Sequence, residues 1–306
     1  MLKVAILSGW HVHAKGYAKQ FEERADAQVT AVWDEDPKRG KEFAEEFKVD
    51  FEPDLDKILA RSDVDAVCVN APTNIHREVM VKAANAGKHI FTEKVLALTI
   101  EDCLAVKEAV DKNGVKFCIS FPHRTMPHNL FAKKVVDDGT LGQITLLRVR
   151  NAHNGSSAGW LPPHFYDREQ CGGGAMIDLG AHPMYLIHWL LGKPTEIKSV
   201  FTAVTGHAVE DNAVSVMKYP NGAIAISETG FVSANSPFIL EIYGMDGNLI
   251  INGEDVKLSS GEKCNLPEAL PHPIDQFVDG VLYGKEIIFG MEDAIGLTEM
   301  MVGAYK

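Results

Sequence analysis

Apolar and polar residues follow one rhythm up to about residue 120 of this chain and another after it. In the first part, short continuous apolar runs alternate with segments of helical period. Val4–Leu7 is such a run, as expected of a strand buried on both faces. Ala14, Tyr17, Ala18 and Phe21 then fall on one face of a helix. Val29–Trp33 predicts a second strand, and Asp36 before Pro37 predicts a capped helix start. Leu55, Ile58 and Leu59 mark a short helix, Ala66–Val69 a strand, and Val79, Met80 and Ala83 a helix closed by Gly87. Ile90–Thr92 is a strand, Thr99 and Asp102 form a capping box, and Val115–Ile119 is a strand again. Repeated βα units predict a doubly wound parallel sheet of Rossmann type, an α/β domain over residues 1–121. Its ligands would bind at the carboxyl ends of the strands.

From residue 122 to 306 strands dominate, with period-two alternation. Gln143–Arg150 begins the series. Asn212–Tyr219 and Ala223–Phe231 flank Pro220-Asn221-Gly222, and Phe238–Tyr243 and Asn248–Ile251 flank Met245-Asp246-Gly247. Both pairs predict hairpins. The expectation is an α+β domain whose antiparallel sheet has one face under helices and one face free. Two amphipathic helices close the chain, one on Ile274, Phe277, Val278, Val281 and Leu282, the other on Ala294, Leu297, Met301 and Ala304.

The stretch Gly172–Gly192 stands apart. Met176, Leu179, Pro183, Leu186, Ile187 and Leu190 recur at helical spacing behind three glycines. Asp178 and His182, four apart, would share one helical face with Tyr185. The pair reads either as a site or as a buried structural contact, and the glycines as room for a molecule at the helix N-terminus.

A net charge of -12 excludes nucleic acid and anionic membrane surfaces as main partners. No apolar run reaches the roughly 20 residues of a membrane helix, and the start lacks a signal-peptide pattern. Five cysteines without a CxxC pair fit free thiols in a reducing, cytoplasmic setting.

Candidate chemistry collects at predicted strand ends. Ser8, Gly9, Trp10 and His11 form the first strand–helix turn, a poor GxGxxG match. Asp34 ends the second strand, where a carboxylate bonds the adenosine ribose of NAD and repels the 2′-phosphate of NADP; Arg39 nearby softens that preference. An Asp34 that merely belongs to the turn is the alternative. Ala71, Pro72 and Asn74 form the loop after the Ala66–Val69 strand, and Glu93 and Lys94 follow the next one. His76 opens a helix and reads as structural or as a cofactor neighbour. Arg124 and His128 follow the last strand and stand near the nicotinamide end or on a surface hinge. Two close histidine pairs, His11/His13 and His123/His128, lack zinc-site spacing, so no metal is expected. The long polar and aromatic loop Asn151–Gln170 offers His153, Trp160, His164 and Tyr166 as pocket residues, with a plain surface loop as the alternative.

The segment AVCVNAPTNIHREVMVKAANAGKHIFTEKVLALTIEDC, with FPHRTMPHNL, DDGTLGQI and GGGAMIDLGAH, resembles the Gfo/Idh/MocA oxidoreductases, in family order. The resemblance implies a Rossmann domain followed by a large, open, mostly antiparallel sheet. It implies NAD, with NADP less favoured, and hydride transfer at a secondary alcohol of a sugar, cyclitol or polyol. It places Lys94, Asp178 and His182 at the catalytic centre, with Tyr185 toward the substrate, and homodimers or homotetramers built through the C-terminal sheet. Three departures stand out: the glycine-poor first turn, Val95 where proline is usual, and Tyr185 where many members have aspartate. His182 suits the proton acceptor with Lys94 stabilising the alkoxide, or Lys94 is the acid/base and His182 positions substrate. An NAD-using glycosidase and a non-catalytic nicotinamide or sugar sensor are the alternatives on the same fold.

Overall fold

The apolar runs become strands and the segments of helical period become helices in a computed structural model that describes residues 1–306. In chain order come β1 (Leu2–Leu7), α1 (Ala14–Glu22), β2 (Ala27–Trp33), α2 (Pro37–Phe47), β3 (Asp50–Phe51), α3 (Leu55–Leu59), β4 (Ala66–Val69), α4 (His76–Asn85), β5 (His89–Thr92), α5 (Ile100–Asn113) and β6 (Phe117–Ile119). Next are α6 (Pro127–Asp137), β7 (Ile144–Ala152), α7 (Arg168–Cys171), α8 (Ala181–Leu191), β8 (Glu196–Thr202), β9 (Asn212–Lys218), β10 (Ile224–Gly230) and β11 (Ile239–Gly244). The chain ends with β12 (Asn248–Asn252), β13 (Asp255–Leu258), α9 (Pro273–Tyr283) and α10 (Met291–Ala304). No helix is long and apolar enough to cross a membrane. Two compact units result, Met1–Ser120 with Pro271–Ile295, and Phe121–Leu270 with Gly296–Lys306.

The first unit holds a six-stranded parallel sheet in the order β3-β2-β1-β4-β5-β6. Strand order reverses between β1 and β4, which makes that gap the ligand crevice of a doubly wound sheet. All four residues of β4 are buried, as a strand covered on both faces requires. The predicted caps form. Asp36 accepts from the backbone N–H groups of Lys38 and Arg39 at 2.9 and 3.3 Å, and Thr99 accepts from that of Asp102 at 3.1 Å.

One expected boundary changes. Residues 271–295 pack with the first unit rather than the second. Phe277 of α9 is fully buried, with its ring 6.5 Å from Phe21 and 5.8 Å from Phe91. Burial of such a ring contributes about 1.5–3 kcal/mol. Arg24 adds a polar clamp, donating to Asp275 at 2.8 Å and Asp279 at 2.7 Å.

The second unit holds seven strands in the order β13-β12-β11-β7-β10-β9-β8. Only β7 and β10 run parallel; the other pairs are antiparallel, and both predicted hairpins are present. Helix α8 packs on β7 and β10. Along β9, Ala213, Ser215 and Met217 are buried while Asn212, Val214, Val216 and Lys218 are exposed, so this sheet has a covered face and a free one.

The glycine stretch folds differently from its periodicity. Residues 172–180 are bends and turns, and α8 starts only at Ala181, with Gly180 at its N-cap. Asp178 therefore lies in the turn before the helix that carries His182. The glycines serve packing: a Cβ on Gly173 would stand 2.1 Å from the Tyr305 hydroxyl, and one on Gly174 would stand 2.0 Å from the Glu210 carbonyl oxygen.

Candidate active site

The carboxyl ends of β1, β2, β4 and β5 carry Ser8–His11, Asp34, Asn70–Pro72 and Glu93–Lys94. Ser8 takes the place of a glycine: its φ is 77°, and its hydroxyl accepts the Trp10 backbone N–H at 3.0 Å. Trp10 and His11 are buried, with ring centroids 6.2 Å apart. Asp34 is buried and fully engaged. Its carboxylate accepts from the backbone N–H groups of Gly9 and Asp36, both at 2.8 Å, and from Arg39 at 3.0 and 2.6 Å. Four donors fill the roughly four lone-pair sites of a carboxylate. The residue thus holds the first turn against α2.

Beyond β4, Asn70 is fully buried, and its side-chain oxygen has no hydrogen-bond partner. Ala71 and Pro72 are buried and Asn74 is exposed. His76 does not face outward to a ligand. Its Nε2 is 2.9 Å from the Ala71 carbonyl, and its Nδ1 is 3.0 and 3.1 Å from those of Val95 and Leu96. The ring clamps the loop after β4 to the segment after Lys94. Burial lowers its proton affinity, partly offset by those carbonyls. The Lys94–Val95 peptide is cis, although residue 95 is not proline.

Glu93 is a buried hub. Its Oε1 lies 3.3 Å from His13 Nδ1, 3.7 Å from Lys94 Nζ and 3.8 Å from His11 Nε2. Its Oε2 accepts from Tyr17, whose oxygen also lies 2.8 Å from the Ser120 hydroxyl. Burial would raise the Glu93 carboxyl, but the attraction of His11, His13 and Lys94 outweighs it and holds the group well below the usual carboxylate range. Tyr17 was visible in sequence only as a core position. Ligating atoms of His11, His13 and Glu93 lie within 4.8 Å of one another. Yet His11 Nδ1 accepts the His13 backbone N–H at 3.2 Å, which leaves the ring proton on Nε2, the nitrogen toward Glu93. A protonated nitrogen does not ligate, so the trio reads as polar side chains gathered around the Glu93 carboxylate, with His13 Nδ1 at 3.3 Å and His11 Nε2 at 3.8 Å.

In the second unit, His182 and Tyr185 sit one turn apart on α8, both buried, with His182 Nδ1 2.9 Å from the Tyr185 oxygen. Tyr185 stacks on Phe121 at 4.2 Å and accepts the His123 backbone N–H at 3.1 Å. The His123 ring lies 4.7 Å from that of His182, and burial, helped by His128, pushes its pKa down to about 4. Arg124 lies over Trp189, 4.9 Å from the ring centre. The expected long loop is largely packed. Leu161 and Phe165 form a small core with Ala175 and Phe231. His153 stacks on Phe231 at 5.0 Å, and Tyr166 stacks on His207 while donating to Ser156 at 2.8 Å. His164 is half-buried beside Phe165, and Trp160 is exposed at the edge. Asp178 is half-buried.

Residues 4–121 match the family described as "Oxidoreductase family, NAD-binding Rossmann fold", and residues 130–250 match the "GFO/IDH/MocA C-terminal domain". The chain belongs to the Gfo/Idh/MocA oxidoreductases. Within this family it is similar to an inositol 2-dehydrogenase of Rhizobium meliloti, with 26% identity over 95% of this chain and 92% of that one. It is also similar to a D-glucoside 3-dehydrogenase of Escherichia coli, with 28% identity over 75% of this chain and 70% of the relative. Among solved structures, an aldose-aldose oxidoreductase of Caulobacter crescentus complexed with glycerol superposes with a TM-score of 0.83 at 26% identity, covering 99% of this chain and 96% of that one. GenD2 from gentamicin A biosynthesis, in complex with NAD, shares the fold with a TM-score of 0.84 at 23% identity, covering 99% and 93%. The Rossmann unit of this Gfo/Idh/MocA protein is therefore an NAD-binding one, and the residues fit that group. The strand order opens a crevice at the β1/β4 reversal, and the buried Asn70 oxygen beside it awaits a donor.

Proposed function

We propose that this protein is an NAD-dependent dehydrogenase that oxidises a secondary alcohol of a sugar, cyclitol or related polyol, or reduces the matching ketone. The observation that carries the reading is the family match over both units, together with relatives named for inositol and glucoside oxidation. Bound NAD supplies the hydride acceptor. Ser8, Gly9, Trp10, His11, Asn70 and Ala71 line its crevice. The ribose hydroxyls reach Asp34 when Arg39, its one side-chain donor, moves aside. Lys94, Asp178 and His182 act on the substrate hydroxyl. The Lys94 ammonium, 3.7 Å from Glu93, would stabilise an alkoxide by its charge.

A screen of sugars, inositols and aldonates with NAD and NADP, read by absorbance of the reduced cofactor, tests the reading. Lys94→Met should abolish turnover, by a factor of about 10³ or more, while NAD binding survives. Near-normal turnover in that variant would refute the role. We further propose that copies pair through the free sheet face, where Val200 opposes Val214 and Val216 opposes Ile226. Val216→Lys should then lower the sedimentation mass, and an unchanged mass would rule this face out.

A further inference from the structure

The turn that carries Asp178 has its main chain tied down by two residues from elsewhere in the second unit, Glu210 and Tyr305. Between them they take four consecutive N–H groups, those of residues 174 to 177. Glu210 Oε1 accepts from Gly174 at 2.9 Å and from Met176 at 3.0 Å. The Glu210 main-chain carbonyl accepts from Ala175 at 2.8 Å. The Tyr305 phenol oxygen accepts from Ile177 at 3.1 Å. The next N–H, that of Asp178, turns back to the Gly174 carbonyl at 3.1 Å. N–H groups converging on a carboxylate form a nest, held by charge as well as by hydrogen bonds.

The two holders also hold each other. The Tyr305 hydroxyl stands 2.5 Å from Glu210 Oε1, and a carboxylate only accepts, so the phenol donates there. Burial and the Glu210 charge raise the phenol pKa, which keeps it a donor. The Tyr305 ring packs on Phe201, with 5.0 Å between centres. Glu210 stands just before β9, next to Asp211, whose carboxylate accepts the Val204 and Thr205 N–H groups at 2.8 and 2.7 Å. Ala175 and Met176 are fully buried, so their N–H groups have no water to turn to if a holder is lost.

We propose that Glu210 and Tyr305 are positioning residues for Asp178, fixing its turn so that the carboxylate meets the substrate hydroxyl at one place. The effect on turnover rests on the dehydrogenase reading; the fixing of Asp178 does not. Both residues act through the main chain of the turn. A misplacement of about 1 Å at a reacting group costs roughly 100-fold in rate.

Carbon NMR of the full-length protein, labelled at aspartate carboxyl groups and assigned through Asp178→Asn, reads the placement. Tyr305→Phe removes one hydroxyl and should shift or broaden the Asp178 signal. A signal identical to wild type would overturn the proposal. In the wild type, the amides of residues 174–177 should exchange as slowly as those of α8. Fast exchange there would overturn it even where a variant does not fold. With whichever sugar, inositol or aldonate of the screen turns over, Tyr305→Phe should lower kcat about 10- to 100-fold with NAD affinity unchanged. Glu210→Ala should lose at least as much, and Glu210→Gln, which keeps an acceptor at Oε1, should restore most of that loss. A lower urea midpoint with the kcat of the folded enzyme intact would show a merely structural role and overturn the proposal. Absence of any nicotinamide-linked turnover would sink the dehydrogenase reading and leave the Asp178 signal to decide the positioning.

Discussion

Replacing His76 by alanine tests whether this ring holds Lys94 in place or touches the cofactor. The ring faces three main-chain carbonyls, those of Ala71, Val95 and Leu96, at 2.9 to 3.1 Å, from a fully buried position. A neutral ring donates from one nitrogen, worth about 1 kcal/mol net, and buried carbonyls left bare cost about 1–3 kcal/mol more. The vacated ring volume adds a cavity term, so the loss should total about 3–5 kcal/mol. Urea unfolding measures it as a lower midpoint at unchanged slope. The functional effect follows from the next link in the chain. Val95 and Leu96 are the residues after Lys94, and a misplacement of about 1 Å at a reacting group costs roughly 100-fold in rate. Turnover should therefore fall about 100-fold, with NAD affinity nearly unchanged. Burial lowers the His76 proton affinity in the folded state, so its contribution is present above the unfolded pKa and fades as pH falls. The alanine variant should lose that part of the acid sensitivity. A variant of wild-type stability and turnover that binds NAD poorly would refute the clamp and restore a cofactor role for His76.

Two more outcomes follow from the second unit. Gly174→Ala puts a Cβ 2.0 Å from the Glu210 carbonyl oxygen, a main-chain atom with little freedom to yield. Overpacking of this kind costs about 1–3 kcal/mol, and the shift also strains the 2.9 Å bond from Gly174 N–H to the Glu210 carboxylate. Urea unfolding should show the loss; normal stability with impaired ligand binding would instead support an approach path for a ligand. His123 has its folded pKa pushed to about 4, below an unfolded value near 6.5. Its stabilising contribution is thus complete above pH 6.5 and is lost as pH falls toward 4, by at most about 3 kcal/mol. His123→Gln should flatten the fall in unfolding free energy between pH 6.5 and 4, and an unchanged slope would show that this ring is not what titrates.

Legibility followed the range of the interactions. The βα alternation, the Asp36 and Thr99 caps and the two hairpins are local in sequence, and each was readable from neighbours within a few residues. Helix α9 was not: its apolar stripe was plain, but nothing in the stripe says which sheet it covers. That choice is made by Phe21, Phe91 and Arg24, 186 to 256 residues away. The Asp178–His182 spacing misled for a different reason. Four residues apart is a helical signature only inside a helix, and here Gly180 and Pro183 mark the start of one. Proline is tolerated in the first turn and costly further in, so Pro183 already placed the helix start near residue 181.

That Tyr185 shares a helical face with His182 follows from a spacing of three. A donor to its oxygen does not follow: the backbone N–H of His123, 62 residues earlier, reaches it at 3.1 Å, and a backbone N–H has no residue-type signature, since every residue but proline carries one.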